Sequence, residues 1–172
     1  FEDETQIGIT FEKHLQNNIL KALFEEHPYE EVAYEITTLE NQNQHLGMGM
    51  IGELENGLDE KEFLQFLKKT MKTDCVRHSA LLHKSIKRVA VLGGSGSFAI
   101  DAAKNAGADA FISADFKYHD FFKTENTMLL ADIGHYESEQ YTKDLLHSFL
   151  KKKITNFAVL LSQTNTNPIS YL

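Results

Sequence analysis

The sequence predicts an α/β fold, because strand and helix signals alternate from about residue 59 to the end and the strand candidates are nearly continuous apolar runs. Val89-Ala90-Val91-Leu92 and Phe157-Ala158-Val159-Leu160-Leu161 show no alternating polar face, the pattern of strands covered by helices on both sides. With 172 residues, 42% hydrophobic and 24% charged, the chain has the makeup of about one globular domain.

Taken in order, Phe11, Leu15, Ile19, Ala22 and Leu23 recur at helical spacing, so residues 11 to 26 read as an amphipathic helix that Thr10 caps and His27-Pro28 ends. Val32, Tyr34 and Ile36 alternate with Ala33 and Glu35 as in a strand. The polar run Glu40 to Gln44 reads as a linker, and the spaced glycines of Gly47 to Gly52 as an extended segment of close backbone approach. Asp59 opens a second helix with Phe63, Phe66, Leu67 and Thr70 on one side. Strands follow at 75 to 82, 88 to 92, 109 to 113, 127 to 132 and 155 to 161, with helices at about 97 to 106, 117 to 123 and 136 to 152. Lys151 to Lys153 complement the dipole of the last helix.

Charge narrows the choice of partners. Lys plus Arg number 17 against 25 Asp plus Glu, a net charge of −8, which disfavours nucleic acid and anionic membrane as main partners. No apolar run approaches the roughly 20 residues of a membrane span, and no signal stretch opens the chain, which favours a cytoplasmic location. The single cysteine, Cys75, reads as a partly buried apolar residue and fits a reducing compartment.

Two clusters bear on chemistry. Strand 88 to 92 runs into Gly93-Gly94-Ser95-Gly96-Ser97 and a helix, and Asp115 follows about 20 residues on, as in a dinucleotide fingerprint. The same glycines serve any sharp strand-to-helix turn. The second cluster lies at the ends of the next two strands, where open α/β sheets build sites: Asp115-Phe116-Lys117-Tyr118-His119 and Gly134-His135-Tyr136-Glu137-Ser138-Glu139. A spacing of four stacks His135 over Glu139 on one helix face, where an imidazole and a carboxylate can share a divalent ion, while Glu137 points elsewhere. Asp115 and His119 repeat that spacing, as further ligands, as orienting groups or as a proton-transfer pair; surface pairing and helix capping are the simpler readings of both. His27 to Glu31 reads as helix-stop chemistry, with a ligand-binding turn as the alternative, and Ser162 to Pro168 as a loop that turns the chain or lines a pocket. No hydroxyl nucleophile with a nearby base can be picked out, so the catalytic residues stay unassigned.

Arg88 to Phe98, Asp115 to His119 and Gly134 to Glu139 resemble, in order, the Nif-three-like family, also known as GTP cyclohydrolase I type 2 homologues. The resemblance covers residues 47 to 172, and Ala114 departs from the glycine many members carry there. His27 to Tyr34 resembles the inserted domain, similar to the PII and CutA proteins, of some bacterial members. The resemblance implies that residues 1–45 are the C-terminal part of a ferredoxin-like insert and that residues 46–172 are the C-terminal half of a three-layer Nif-three-like domain. It implies two divalent ions, taken to be zinc, in each complete subunit, with His135 and Glu139 as ligands and Asp115, Tyr118 and His119 as pocket residues. It further implies a homo-oligomer, commonly a hexamer, acting on or sensing a small molecule.

Metal-dependent hydrolysis is therefore the expected activity, with substrate unknown; a non-catalytic metal-binding regulator and a Rossmann-like dinucleotide binder are the alternatives. The chain opens on Phe1 without Met, and none of its eight histidines are neighbours, whereas the family's first half supplies adjacent ones. The expectation is a fragment that binds metal weakly and turns nothing over alone.

Overall fold

The computed structural model describes residues 5–41 and 46–172. The chain divides into two compact units, Phe1–Asn43 and Gln44–Leu172.

In the first unit a 3-10 turn at Lys13–Leu15 leads into helix α1, Gln16–Glu26. The helix begins later than its periodicity predicts, and Thr10 does not cap it: Glu12 precedes the turn and offers no side-chain bond. His27 is extended and ends α1 ahead of Pro28, whose ring disfavours a helical residue before it. The Tyr29 N–H donates to His27 Nδ1 at 3.1 Å, so this turn closes on itself. Val32, Tyr34 and Ile36 do not form the expected strand. A strand needs a ladder partner, and none faces this segment among the described residues; Tyr34 packs edge to face on Phe24 at 5.6 Å instead. Most of the expected linker lies outside the described residues.

The second unit holds β1 (Met50–Asp59), α2 (Glu60–Met71), β2 (Arg77–His78), β3 (Ser85–Ser95), α3 (Ile100–Asn105), β4 (Ala110–Ala114), β5 (Leu129–Asp132), α4 (His135–Glu139) and α5 (Thr142–Lys153). The five strands form one sheet in the order β1-β3-β4-β5-β2. The central β3, β4 and β5 run parallel, and the outer β1 and β2 antiparallel to their neighbours. A Cβ at Gly49 would stand 2.6 Å from the Val91 carbonyl, the close approach that the spaced glycines foretell.

Both faces of the sheet are covered at β4 and β5, whereas β1 has no buried residue and Val91 of β3, expected to be covered on both sides, is 44% exposed. Ile100 and Ala103 of α3 pack with Leu92, Phe111 and Leu130 on one face, while Phe63 and Leu67 of α2 pack with Ile86, Ile112 and Leu129 on the other. The arrangement is helix, sheet, helix, with the buried β4 and β5 at its centre. Phe66, expected beside Phe63, is 48% exposed. Asp59 caps α2 as its sequence predicts, accepting the Lys61 N–H at 2.9 Å.

Other expectations change for local reasons. The strand expected at 75 to 82 pairs only over Arg77–His78. Beyond it the fully buried Glu60 carboxylate takes the Leu82 N–H at 2.8 Å and the His83 N–H at 2.8 Å, turning the chain away with His83 at φ 56°. The helix expected at 136 to 152 breaks at Gln140 and Tyr141. Gln140 Nε2 donates to the Met71 carbonyl and the Tyr141 hydroxyl to the Thr70 carbonyl, satisfying carbonyls at the end of α2. The helix expected at 117 to 123 is a 3-10 segment, Tyr118–Thr124, and α3 is preceded by another, Ser97–Ala99. Residues 155 to 161 join no ladder, and Leu160 is 90% exposed. Cys75 is exposed, not partly buried: Thr73 Oγ1 donates to its carbonyl at 2.8 Å in a turn. Among the described residues, no helix is long and apolar enough to cross a membrane.

Candidate metal centre

Because β4 and β5 are parallel, with Ser113 beside Asp132, their C-terminal ends deliver Asp115 and His135 to the same edge of the sheet. Asp115 has φ 60°, a left-handed conformation that aspartate tolerates better than most residues. It is therefore not on a helix with His119. Its Oδ2 lies 2.6 Å from His135 Nδ1, and the opposite ring nitrogen, Nε2, lies 3.4 Å from Glu139 Oε2. One imidazole thus stands between two carboxylates.

A neutral imidazole donates from only one nitrogen. With its proton on Nδ1, held by Asp115, the Nε2 lone pair faces Glu139 across a gap suited to a shared ion, the arrangement in which a carboxylate orients a metal-binding histidine. About half of each of the three side chains is exposed, so the site is open. Two donors fit part of a metal centre, and no group of three or more His, Cys, Asp and Glu side chains converges as a complete cage among the described residues.

The hydrogen bond to Asp115 raises the His135 pKa above its ordinary value; burial opposes this, and the Asp115 and Glu139 charges add to it. A proton and a cation would compete for the same nitrogen, so metal uptake at this pair would be lost as pH falls through that raised pKa. In Asp115→Asn the uptake midpoint is expected to move to lower pH, because the main cause of the elevation is gone. At higher pH, affinity is expected to fall about 10-fold as the ring loses its orienting carboxylate. Competitive metal titration from roughly pH 5 to 8 measures both, and an unmoved midpoint contradicts the assignment.

Asp132, 5% exposed, fastens the two loops that carry the site. Its Oδ2 accepts the Phe116 N–H at 3.1 Å and its Oδ1 the Gly134 N–H at 3.1 Å. Arg77 stands 3.5 Å from Asp132, donates to the Phe116 carbonyl at 2.6 Å and lies over the Phe121 ring. Sequence reading missed this hub, although an acid ending a buried strand is a signal for it.

The expected pocket residues separate. Asp115 joins His135, whereas Tyr118 lines a different cleft of about 650 Å³ with Arg77, His78, Phe121 and Phe122. His119 is exposed, its ring against that of Tyr118 at 5.2 Å. Beside His135 and Glu139 opens a cleft of about 580 Å³, walled also by Tyr136, Lys143, Leu146 and Thr164. The 162 to 168 loop both turns and lines: Asn165 Oδ1 accepts the Asn167 N–H at 2.9 Å, and Thr166 and Asn167 face the cleft. Glu137 does point away from its two neighbours in the motif. It is 5% exposed, with Oε1 accepting from Asn167 Nδ2 at 3.0 Å and Oε2 without a hydrogen bond among the described residues.

The glycine turn offers little to a pyrophosphate. The Gly94 N–H donates to Ser138 Oγ at 2.8 Å and the Gly96 N–H to the Ala114 carbonyl at 3.3 Å, while Asp115 is engaged by His135.

Comparison with known proteins gives a consistent result. The model of the Duf34/NIF3 (NGG1p interacting factor 3) family matches residues 5–168. A GTP cyclohydrolase 1 type 2 homolog of Bacillus subtilis is 33% identical over 98% of this chain and 46% of its own length. One of Staphylococcus epidermidis is 31% identical over 99% of this chain and 48% of its own. The chain thus spans about half the length of these curated relatives. Among solved structures, a Staphylococcus aureus protein superposes with TM-score 0.76 at 27% identity, covering 96% of this chain and 55% of that one. A Bacillus cereus protein related to NIF3 gives TM-score 0.71 at 31% identity, covering 92% and 45%.

Proposed function

Because the chain belongs to the Duf34/NIF3 family, we propose that it contributes His135 and Glu139 to a dinuclear metal centre that hydrolyses a small molecule. The observation that carries this reading is the alignment of His135 Nε2 with Glu139 Oε2 at 3.4 Å while Asp115 holds the other nitrogen. A pair of divalent ions, when bound, acidifies water for attack and stabilises an oxyanion. The residues of the site would then have separate tasks. His135 and Glu139 bind, Asp115 fixes the imidazole tautomer, and Asp132 keeps the two loops together. The cleft of about 580 Å³ beside the pair has the size of a small-ligand site.

Two ligands fall short of the three usual in a catalytic zinc site, so the remaining donors would come from residues beyond this chain or from water. Two zinc ions per complete subunit and a homohexameric assembly rest on family resemblance, and a cytoplasmic location belongs to the same proposal.

The relatives' names make nucleotides the first substrates to try. The test is a hydrolysis screen with added Zn²⁺ or Mn²⁺, run on residues 1–172 and on a chain of the relatives' length. Turnover by the longer chain alone is the expected result. Stoichiometric ligand binding without turnover overturns hydrolysis in favour of a regulatory, ligand-sensing protein, and a fully loaded, active 1–172 chain overturns the division of ligands.

A further inference from the structure

The Gly93 to Ser97 turn is the sequence motif that the proposed chemistry leaves without a task. Both backbone groups of Gly94 are engaged by serines from other elements. Its N–H donates to Ser138 Oγ at 2.8 Å, and its carbonyl accepts from Ser113 Oγ at 2.9 Å. Ser113 is wholly buried in β4. The Ser138 hydroxyl in turn donates to the His135 carbonyl at 2.8 Å, so a single hydroxyl joins the turn to the first residue of α4.

The side-chain space at Gly94 is already occupied. At φ 70°, a Cβ there would stand 2.5 Å from Glu139 Oε1 and 3.3 Å from His135 Cε1. The backbone of the turn is therefore the floor on which both proposed ligands rest. Helix α4 needs such a floor: it has five residues and no side-chain cap at Gly134, and one turn of helix does not persist on local bonds alone.

We propose that Gly94 and Ser138 form a clamp that sets the direction in which His135 and Glu139 meet a metal ion, with Ser138 as a positioning residue and the missing side chain of Gly94 as the space Glu139 occupies. This rests on the reading of His135 and Glu139 as ligands. A turn that resembles a phosphate-binding loop thereby serves as the seat of a metal-bearing helix.

The test uses Co²⁺ alone as probe in a chain of the relatives' length, following its visible absorption during titration of wild type, Ser138→Ala, Ser138→Thr and Gly94→Ala. Loss of an outer partner of a metal ligand typically weakens binding about 10- to 100-fold, and that loss is expected for Ser138→Ala, with an altered band shape. Ser138→Thr keeps the hydroxyl and is expected to restore most of the affinity. Gly94→Ala keeps Ser138 but fills the space of Glu139, and is expected to change the band shape as well. Amide exchange at Gly94, measured without metal, is expected to quicken in Ser138→Ala and not in Ser138→Thr. Affinity and spectrum unchanged in Ser138→Ala, or equal loss in the threonine variant, overturn the clamp. A wild-type chain that takes up no Co²⁺ refutes the ligand reading itself, and the clamp with it.

Discussion

Replacing His135 or Glu139 with alanine is expected to strip the protein of metal. Either change removes one of the two aligned donors, Nε2 or Oε2, and the lone survivor is an exposed side chain in competition with water. Affinity should therefore fall further than the roughly 10- to 100-fold that loss of an outer partner costs. Elemental analysis of a chain of the relatives' length, after dialysis against a weak chelator, measures it. His147→Ala is the control. That imidazole also lies on a helix, but its Nε2 faces the Val159 carbonyl at 3.1 Å, and its loss should leave the stoichiometry intact. Wild-type metal content in both His135→Ala and Glu139→Ala would end the assignment.

The largest effect on stability is expected at Glu60, remote from the ligands in sequence. Its carboxylate is 2% exposed and accepts the Leu82 N–H at 2.8 and 3.0 Å and the His83 N–H at 2.8 Å. The N-terminal end of α2 also favours a negative charge there. Glu60→Ala leaves two backbone donors without their acceptor and opens a void, and buried groups stranded in this way cost about 1–3 kcal/mol each. A total loss of about 3 kcal/mol is expected in chemical denaturation, with Glu60→Gln losing less because its amide oxygen still accepts. A shift within about 0.5 kcal/mol, the range of ordinary surface changes, would contradict this account.

How much of the molecule was legible depended on how local each feature is. The buried strands β4 and β5 could be read because an unbroken apolar run marks a segment that must be covered, and the cap of α2 because Asp59 acts on a residue two positions away. The apolar run at 157 to 161 misled for the same reason. It records a demand for burial and says nothing about whether a partner strand stands beside it. The stacking of His135 on Glu139 is fixed by helix geometry and could be foreseen. The Asp115 contact spans 20 residues and the Ser138 contact spans 44, and both depend on the register of the parallel strands. The apparent repeat from Asp115 to His119 failed as a pair because Asp115 takes a left-handed turn before the 3-10 segment begins.

The shortness of α4 couples occupancy to folding. An ion held by residues four apart on a five-residue helix binds only where that helix exists, so it favours the folded chain by mass action. At a free concentration one hundred times its dissociation constant, such an ion adds about 2.7 kcal/mol to the resistance to unfolding. If the proposed ion binds, its depletion would withdraw that increment, and the melting temperature of the metal-loaded protein would become a readout of the ion activity around it.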